Sequence, residues 1–273
     1  MSTPLHGFQK RSVVLRVVLG ALFVAERRRP LRHQKEPGLE RVGRNLAIGL
    51  TAGATTAISE FPLVGPVQRV SERWRLGLLR RLPVPRALRV ILGFLLLDYT
   101  LYLWHWINHR SSFLWRFHAV HHVDRDLDST TGVRFHFGEL AMAAVFRAMQ
   151  VALLGVDRGT LRLWQQMLVL SVVFHHSNLE LPIETEQLLN AILVTPRMHG
   201  IHHSTRVDET NANFSSLLSC WDRLHCSLRL DVPQGTVTIG VAGFSESEDV
   251  TLERSLTLPF RDEPRLLPPA SRQ

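Results

Sequence analysis

Cysteine is scarce in this sequence, with two in 273 residues, too few for the disulfide framework of a small secreted domain. Cys220 and Cys226 also lack the spacing of a thiolate metal site, so they are expected as buried thiols in a reduced setting. No internal repeat and no low-complexity tract is present, and no composition break calls for a second large domain. A Gly-x-Gly-x-x-Gly fingerprint is missing, which argues against a dinucleotide site within the chain. The net charge of +8 and pI of about 10.8 admit a nucleic-acid partner or an anionic membrane surface. The basic residues are not interleaved with aromatics as on a base-stacking surface, so no nucleic-acid partner is expected. They sit instead at the ends of long apolar runs, and the near-zero mean hydropathy of +0.03 averages the two.

Residues 12–25, SVVLRVVLGALFVA, form a short apolar run after Lys10 and Arg11. It lacks a good cleavage site and falls below the roughly 20 residues of a span, so it reads as a short membrane anchor. Residues 26–44 carry seven Lys or Arg and read as an aqueous or interfacial loop. Asn45 to Val67 is long enough to span; Gly49 and Gly53 offer a small-residue packing face, and Pro62 and Pro66 are expected to end or kink the helix. Residues 68–89 hold seven more basic residues, with Val70, Trp74, Leu78 and Leu82 at helical spacing, as in an amphipathic interfacial helix. Two basic segments flanking one span leave the positive-inside rule undecided.

A further span runs from Ala87 to Trp106. Glu139 to Val156 and Leu161 to His176 are joined by Asp157, Arg158 and Gly159, a turn signal. Such a hairpin returns the chain to the side it left, so every histidine-rich stretch falls on one aqueous face. Residues 177–194 look amphipathic or interfacial, and Pro196 limits the helix leading to the last histidines. The fold class expected is an all-α integral membrane protein with about four transmembrane helices and a histidine-rich helical cap. Three regions are expected: an N-terminal anchor with basic loops and interfacial helix over 1–89, a histidine-bearing domain over 90–230, and a mostly irregular C-terminal cap and tail over 231–273. That tail is expected to hold a short hairpin near Thr236 to Val241 and to end in about a dozen disordered residues.

Of fourteen histidines, six lie between Asp98 and His136. His105 and His109 are one helical turn apart, and His118, His121 and His122 stand at i, i+3 and i+4, again on one face. His199, His202 and His203 repeat that spacing, with His175 and His176 between. A lone histidine near a membrane edge is ordinarily a hydrogen-bonded residue, but eight in these three patterns point to metal. Neutral imidazole suits zinc, copper, iron and nickel alike. Four ligands satisfy one zinc, so eight or nine imidazoles imply two ions.

The motifs resemble the fatty acid hydroxylase superfamily, also called the sterol desaturase family. They are Asp98-Tyr99, Trp104-His105 with His109, Leu114-Trp115-Arg116-Phe117-His118 leading to Val120-His121-His122, Arg134-Phe135-His136, and His175-His176-Ser177-Asn178. Thr195-Pro196, Met198 to Ser204, Asn211 with Asn213, and Trp221-Asp222-Arg223-Leu224 complete the pattern over about residues 90–260. The resemblance implies that His105, His109, His118, His121, His122, His199, His202 and His203 hold a non-haem di-iron centre that activates O2. In the family the remaining ligand precedes a small hydroxyl residue, which resembles His176 before Ser177. His136 matches an Arg-x-His position and is expected to support the ligands, as is His175. Asp98, Asp124, Asn178, Asn211, Asn213 and Asp222 are candidates for the acceptors that orient ligating imidazoles. Trp106 stands where relatives commonly have Arg, and Val123 where they commonly have Ser; neither change removes a ligand.

The resemblance implies an enzyme that hydroxylates or desaturates a lipid substrate admitted from the membrane into a dry channel, with its active site on the cytoplasmic face. Without a nucleotide fingerprint or a His-Pro-Gly-Gly haem segment, its electrons must come from a separate ferredoxin or cytochrome b5-type donor. Two other classes fit a histidine-rich membrane protein. A metal transporter places polar residues within its spans, whereas these cluster just outside. A zinc-dependent membrane lipid hydrolase needs an open zinc beside a carboxylate base.

Overall fold

The computed structural model describes residues 17–36 and 38–266. The start of the first apolar run, 12–16, and residues 267–273 of the expected disordered end lie outside them. A helix over 17–28 (α1) is followed by α2 (Leu39–Arg73), α3 (Leu78–Arg81), α4 (Arg86–Asn108), α5 (Ser112–His122), α6 (Phe137–Leu154) and α7 (Arg158–His176). The cap adds α8 (Ile183–Asn190), α9 (Pro196–His202), α10 (Val207–Thr210), α11 (Cys220–Leu224) and α12 (Leu252–Thr257). Among the described residues there is no β-strand, only isolated bridges.

Among the described residues, three helical segments are long and apolar enough to cross a membrane: Leu39–Arg81, Arg86–Asn108 and Phe137–Leu154. The fourth bundle helix, α7, follows α6 through the expected turn and returns the chain to the other end, packing on α4, but Arg162, Gln165 and Gln166 lower its hydropathy. The turn is built from local chemistry. Gly155 ends α6 in the left-handed region at φ 70°, where a Cβ is disfavoured, and Asp157 caps α7 by accepting the Gly159 and Thr160 N–H groups. At this end of the bundle a Cβ on Gly155 would stand 2.6 Å from the Leu76 carbonyl, so the α6–α7 turn is closed tightly against the α2–α3 connection. Both connections therefore share the end opposite the histidines. Laterally, α2 packs along α6 and α4 against α7.

Several expectations are corrected. The α2 helix runs through Pro62 and Pro66 to Arg73 rather than stopping there; spanning helices tolerate proline where neighbouring helices and hydroxyls satisfy the freed backbone. Residues 68–89 form no separate interfacial helix, because 68–73 complete α2, Leu78–Arg81 is one turn, and 86–89 open α4. Buried Leu79 joins the bundle core with Leu97, Val156 and Trp164. Gly49 accommodates a backbone, since a Cβ there would lie 2.9 Å from the Val133 carbonyl, whereas Gly53 faces open space. Residues 236–241 form no hairpin; Ile239 makes a single bridge to Ser204. Cys220 and Cys226 are exposed, because the short α11 lies on the outside of the cap.

The C-terminal segment folds over α5. Val241, Phe244, Val250, Leu258 and Leu266 pack against Trp115, Ala119, Val120 and Val123, which removes the outer face of α5 from water at about 25 cal/mol per Å² of apolar surface. Both faces of α5 are thereby buried, and its histidines point inward.

Candidate metal centre

Of the ten histidines in the three spacing patterns and the 175–176 pair, all but His175 gather in two groups. His105, His109, His118, His122 and His202 form one, and His121, His176, His199 and His203 the other; within each, the ligand atoms lie within 4.8 Å of one another. The two His-x-x-His-His helices contribute reciprocally. On α5, His118 and His122 (i, i+4) serve the first group and His121 the second; on α9, His199 and His203 serve the second and His202 the first. Stacked rings of His122 and His203, 4.2 Å apart, join the groups.

Hydrogen bonds fix the tautomers. The Nδ1 of His105 donates to the Phe214 carbonyl at 2.7 Å, that of His202 to the Ala212 carbonyl at 2.7 Å, and that of His118 to a Glu139 carboxylate oxygen at 2.8 Å. A neutral ring that donates from Nδ1 has only a lone pair at Nε2. Yet the His105 Nε2 lies 3.1 Å from that of His118 and 3.1 Å from that of His202. In the second group His176 donates Nδ1 to the Val172 carbonyl at 2.7 Å and His121 to the Arg134 carbonyl at 3.3 Å, while their Nε2 atoms stand 2.9 Å apart. The His199 Nε2 is 3.0 Å from that of His176 and 3.1 Å from that of His203.

Lone pairs this close repel unless a cation lies among them. The separations match neighbouring ligands of a shared ion with metal–nitrogen bonds of about 2.0–2.1 Å. Both ring nitrogens of His109 are buried without a hydrogen-bond partner, a costly state that coordination would relieve. The donor set thus fits two ions.

Burial, reinforced by neighbouring imidazoles, holds His121, His122, His199 and His203 well below the usual histidine range, and burial brings His202 to about 3. These rings are neutral at any physiological pH, so protons do not compete for the ligand atoms. Beside them, Arg41 reaches from α2 to Asp124 through Nε and Nη2 at 2.9 and 2.8 Å and to Asp128 at 2.6 Å. Burial alone would raise the Asp124 carboxyl, but the Arg41 and Arg134 guanidiniums outweigh it and hold it well below the usual carboxylate range. Asn45 and Thr131 complete its shell. The network fixes the 123–134 loop, whose Arg134 carbonyl orients His121.

Of the remaining sequence candidates only His175 touches an imidazole of either group. Asp98 accepts from Trp164, Leu218 and Trp221, tying α4 to α7 and α11. Asn178 exchanges hydrogen bonds with the Arg32 backbone. Asn213, at φ 58°, donates to the Met198 and Arg229 carbonyls, and Asn211 Oδ1 has no partner. Asp222 accepts from Phe214 and Ser215 N–H and so positions the carbonyl that orients His105. His136 caps α6 by accepting from Gly138 N–H and donates to the Leu256 carbonyl. His175 lies against His199 at 4.1 Å between ring centroids but outside the second group. Glu139 went unnoticed in the sequence, although an acid in the first turn of an apolar run is a signal; the other acceptors are backbone carbonyls, which no side-chain pattern reveals.

The model of the fatty acid hydroxylase family matches residues 90–227. The chain is 32% identical over 161 residues to the ornithine lipid hydroxylase OlsE of Rhizobium tropici, covering 58% of this chain and 47% of that protein. It is 28% identical to mouse cholesterol 25-hydroxylase over 142 residues, 51% of this chain and 46% of the relative, and 27% identical to the human one over 148 residues, 51% of each. The chain therefore spans about half the length of these curated relatives, and no solved structure matches it significantly. A family match over half the chain, on the stretch that supplies all nine clustered histidines, shows that this protein belongs to the fatty acid hydroxylase family.

Proposed function

We propose that the protein is a membrane-bound non-haem di-iron oxygenase that hydroxylates a lipid, with O2 as co-substrate and electrons from a separate ferredoxin or cytochrome b5-type donor. The observation that carries this reading is the convergence of nine mostly tautomer-fixed imidazoles in two adjoining groups at the end where the spanning helices emerge. Two iron ions held by these rings would supply activation of O2 for attack on an unreactive C–H bond. Inserting one oxygen atom into C–H while the other leaves as water consumes two electrons and two protons, which the donor and solvent provide. Desaturation by a second hydrogen loss needs the same parts; the activities of the relatives, both hydroxylases, favour hydroxylation.

The protein's own contribution is orientation and exclusion of water. Phe214, Ala212, Val172 and Arg134 carbonyls and the Glu139 carboxylate aim the rings, and the cap keeps all nine buried. A dry channel from the bilayer between the spanning helices would bring the lipid to them. Among the described residues the one carboxylate bonded to a clustered ring, Glu139, accepts from the His118 Nδ1, on the side of the ring away from the converging Nε2 atoms, and is not placed as the base that a zinc hydrolase requires. Basic loops flank the bundle at both ends, so electron supply decides orientation, and the cap faces the cytoplasm.

Metal analysis with Mössbauer spectra of protein purified from iron-supplemented cells tests the reading. Two coupled irons per chain, lost in His121→Ala or His202→Ala, are expected. Tightly held zinc with no oxygen-reactive iron form would sink it. Labelling of exposed Cys220 by an impermeant thiol reagent only in inside-out vesicles is the outcome expected for a cytoplasmic cap.

A further inference from the structure

The protein has two tyrosines, and they stand three residues apart on α4 in one aromatic chain. From the surface inward, Trp221 lies 5.0 Å from Tyr99 between ring centroids, and Tyr99 lies 6.4 Å from Tyr102 with rings nearly parallel at 6°. Buried Tyr102 meets Phe214 edge-on at 6.2 Å. Phe214 in turn contacts His105, His109 and His202 at 5.9, 5.3 and 5.5 Å. At the outer end, exposed His225 stacks on both tyrosines at 5.7 and 4.9 Å.

Each phenol also has a place to send its proton. The Tyr99 hydroxyl lies 3.1 Å from the His225 Nε2. The Tyr102 hydroxyl lies 3.0 Å from the Ser227 Oγ, whose own proton goes to Asp222 at 2.6 Å, so Tyr102 donates to Ser227. Phenol and indole are the side chains that give up one electron to a strong oxidant, and a phenol does so readily only when its proton can leave at the same time.

We propose that Trp221, Tyr99, Tyr102 and Phe214 form a redox path that drains oxidising equivalents from the histidine centre to the surface when no lipid C–H bond is present to consume them. The inference rests on the oxygenase reading. Tyr102 loses one electron through Phe214 to the oxidised centre, passing its proton to Ser227 as Ser227 passes its own to Asp222. The Tyr102 phenoxyl then takes an electron from Tyr99, whose proton moves to His225, and recovers its own proton from Ser227. The vacancy, shared by Tyr99 and Trp221, is filled at the surface by a one-electron donor of the class that feeds the reaction. In balance, one external electron reaches the centre and no side chain is consumed.

Two measurements on the full-length protein test this. A ruthenium polypyridyl photo-oxidant attached to Cys220, exposed and adjacent to Trp221, in a Cys226→Ser background oxidises the path by flash excitation. Phenoxyl absorbance is expected, held at Tyr99 in Tyr102→Phe and reduced at least tenfold in Tyr99→Phe with helix content unchanged. A yield that is the same in both variants overturns the path. In the second measurement, reduced iron-loaded protein is mixed with oxygen without lipid and freeze-quenched for electron paramagnetic resonance. A tyrosyl radical that depends on Tyr102, with faster loss of protein integrity in Tyr102→Phe, is expected. Iron that oxidises with no radical, where the flash relay works, overturns the drain but leaves the oxygenase reading standing. Iron that never reacts with oxygen, beside a working relay, defeats that reading instead and takes the drain with it.

Discussion

Glu139 sets one imidazole apart from the other eight. A carboxylate on the Nδ1 of His118 raises the basicity of the ring more than a backbone carbonyl does. Glu139→Gln keeps an acceptor at that place and removes the charge, so metal affinity is expected to fall about 10–100-fold with helix content unchanged, as read by competition with a chelator. The adjacent pair 175–176 gives a second residue-scale test. His176→Ala removes a ring from the second group, and the expected result is one ion lost of two; His175→Ala is expected to retain both, by elemental analysis. Spacing alone could not separate these two histidines, because both end the same helix. Their choice depends on which ring the last turn of α7 aims at His121 and His199.

The two His-x-x-His-His helices show how a pattern becomes a site. On an α-helix the residues i and i+4 lie on one face and i+3 beside them, so each motif offers a pair and a single. Opposed across the centre, α5 and α9 give pair to single and single to pair. The motifs were legible as helical faces, but their opposition requires α7 to return beside α4, which the tight turn at Gly155 makes possible. Gly155→Ala would place a Cβ 2.6 Å from the Leu76 carbonyl at a left-handed φ of 70°, and a loss of about 1–3 kcal/mol is expected. Thermal denaturation in detergent, followed by helix content, measures it; an unchanged midpoint would mean that the two turns do not bear on each other. The ending of α2 at Pro62 or Pro66, one of the two outcomes expected there, and the interfacial helix expected over 68–89 failed for one reason. Local breaker and amphipathic signals gave way to a helix packed against α6.

Across the whole molecule, the nine buried imidazoles are expected to make the cap depend on metal. Ions that bind the folded cap and not the unfolded chain stabilise it by mass action, about 4 kcal/mol at a thousandfold excess over Kd. Removing them with a chelator is expected to lower the unfolding temperature and to raise hydrogen exchange in α5 and α9 ahead of α2 and α6. Uniform exchange in both regions would contradict this. Charge is also distributed at this scale. Residues 69–89 and 157–162 carry nine arginines and two acids, and the fold brings them to the end of the bundle opposite the cap, so most of the net charge of +8 lies there.

Run lengths, the turn at 157–159 and the i, i+3, i+4 spacings are local properties, and they determined the class of the protein: an all-helical membrane bundle with its histidines returned to one end, in clusters that could hold metal. The allotment of nine rings to two groups, the place of His176 in one of them, the contact of Glu139 with His118, the carbonyls that orient four of the rings and the buried Arg41–Asp124 network came only from tertiary structure. Each of these joins residues far apart in the chain, and a backbone carbonyl presents the same chemistry at every position until the fold aims it.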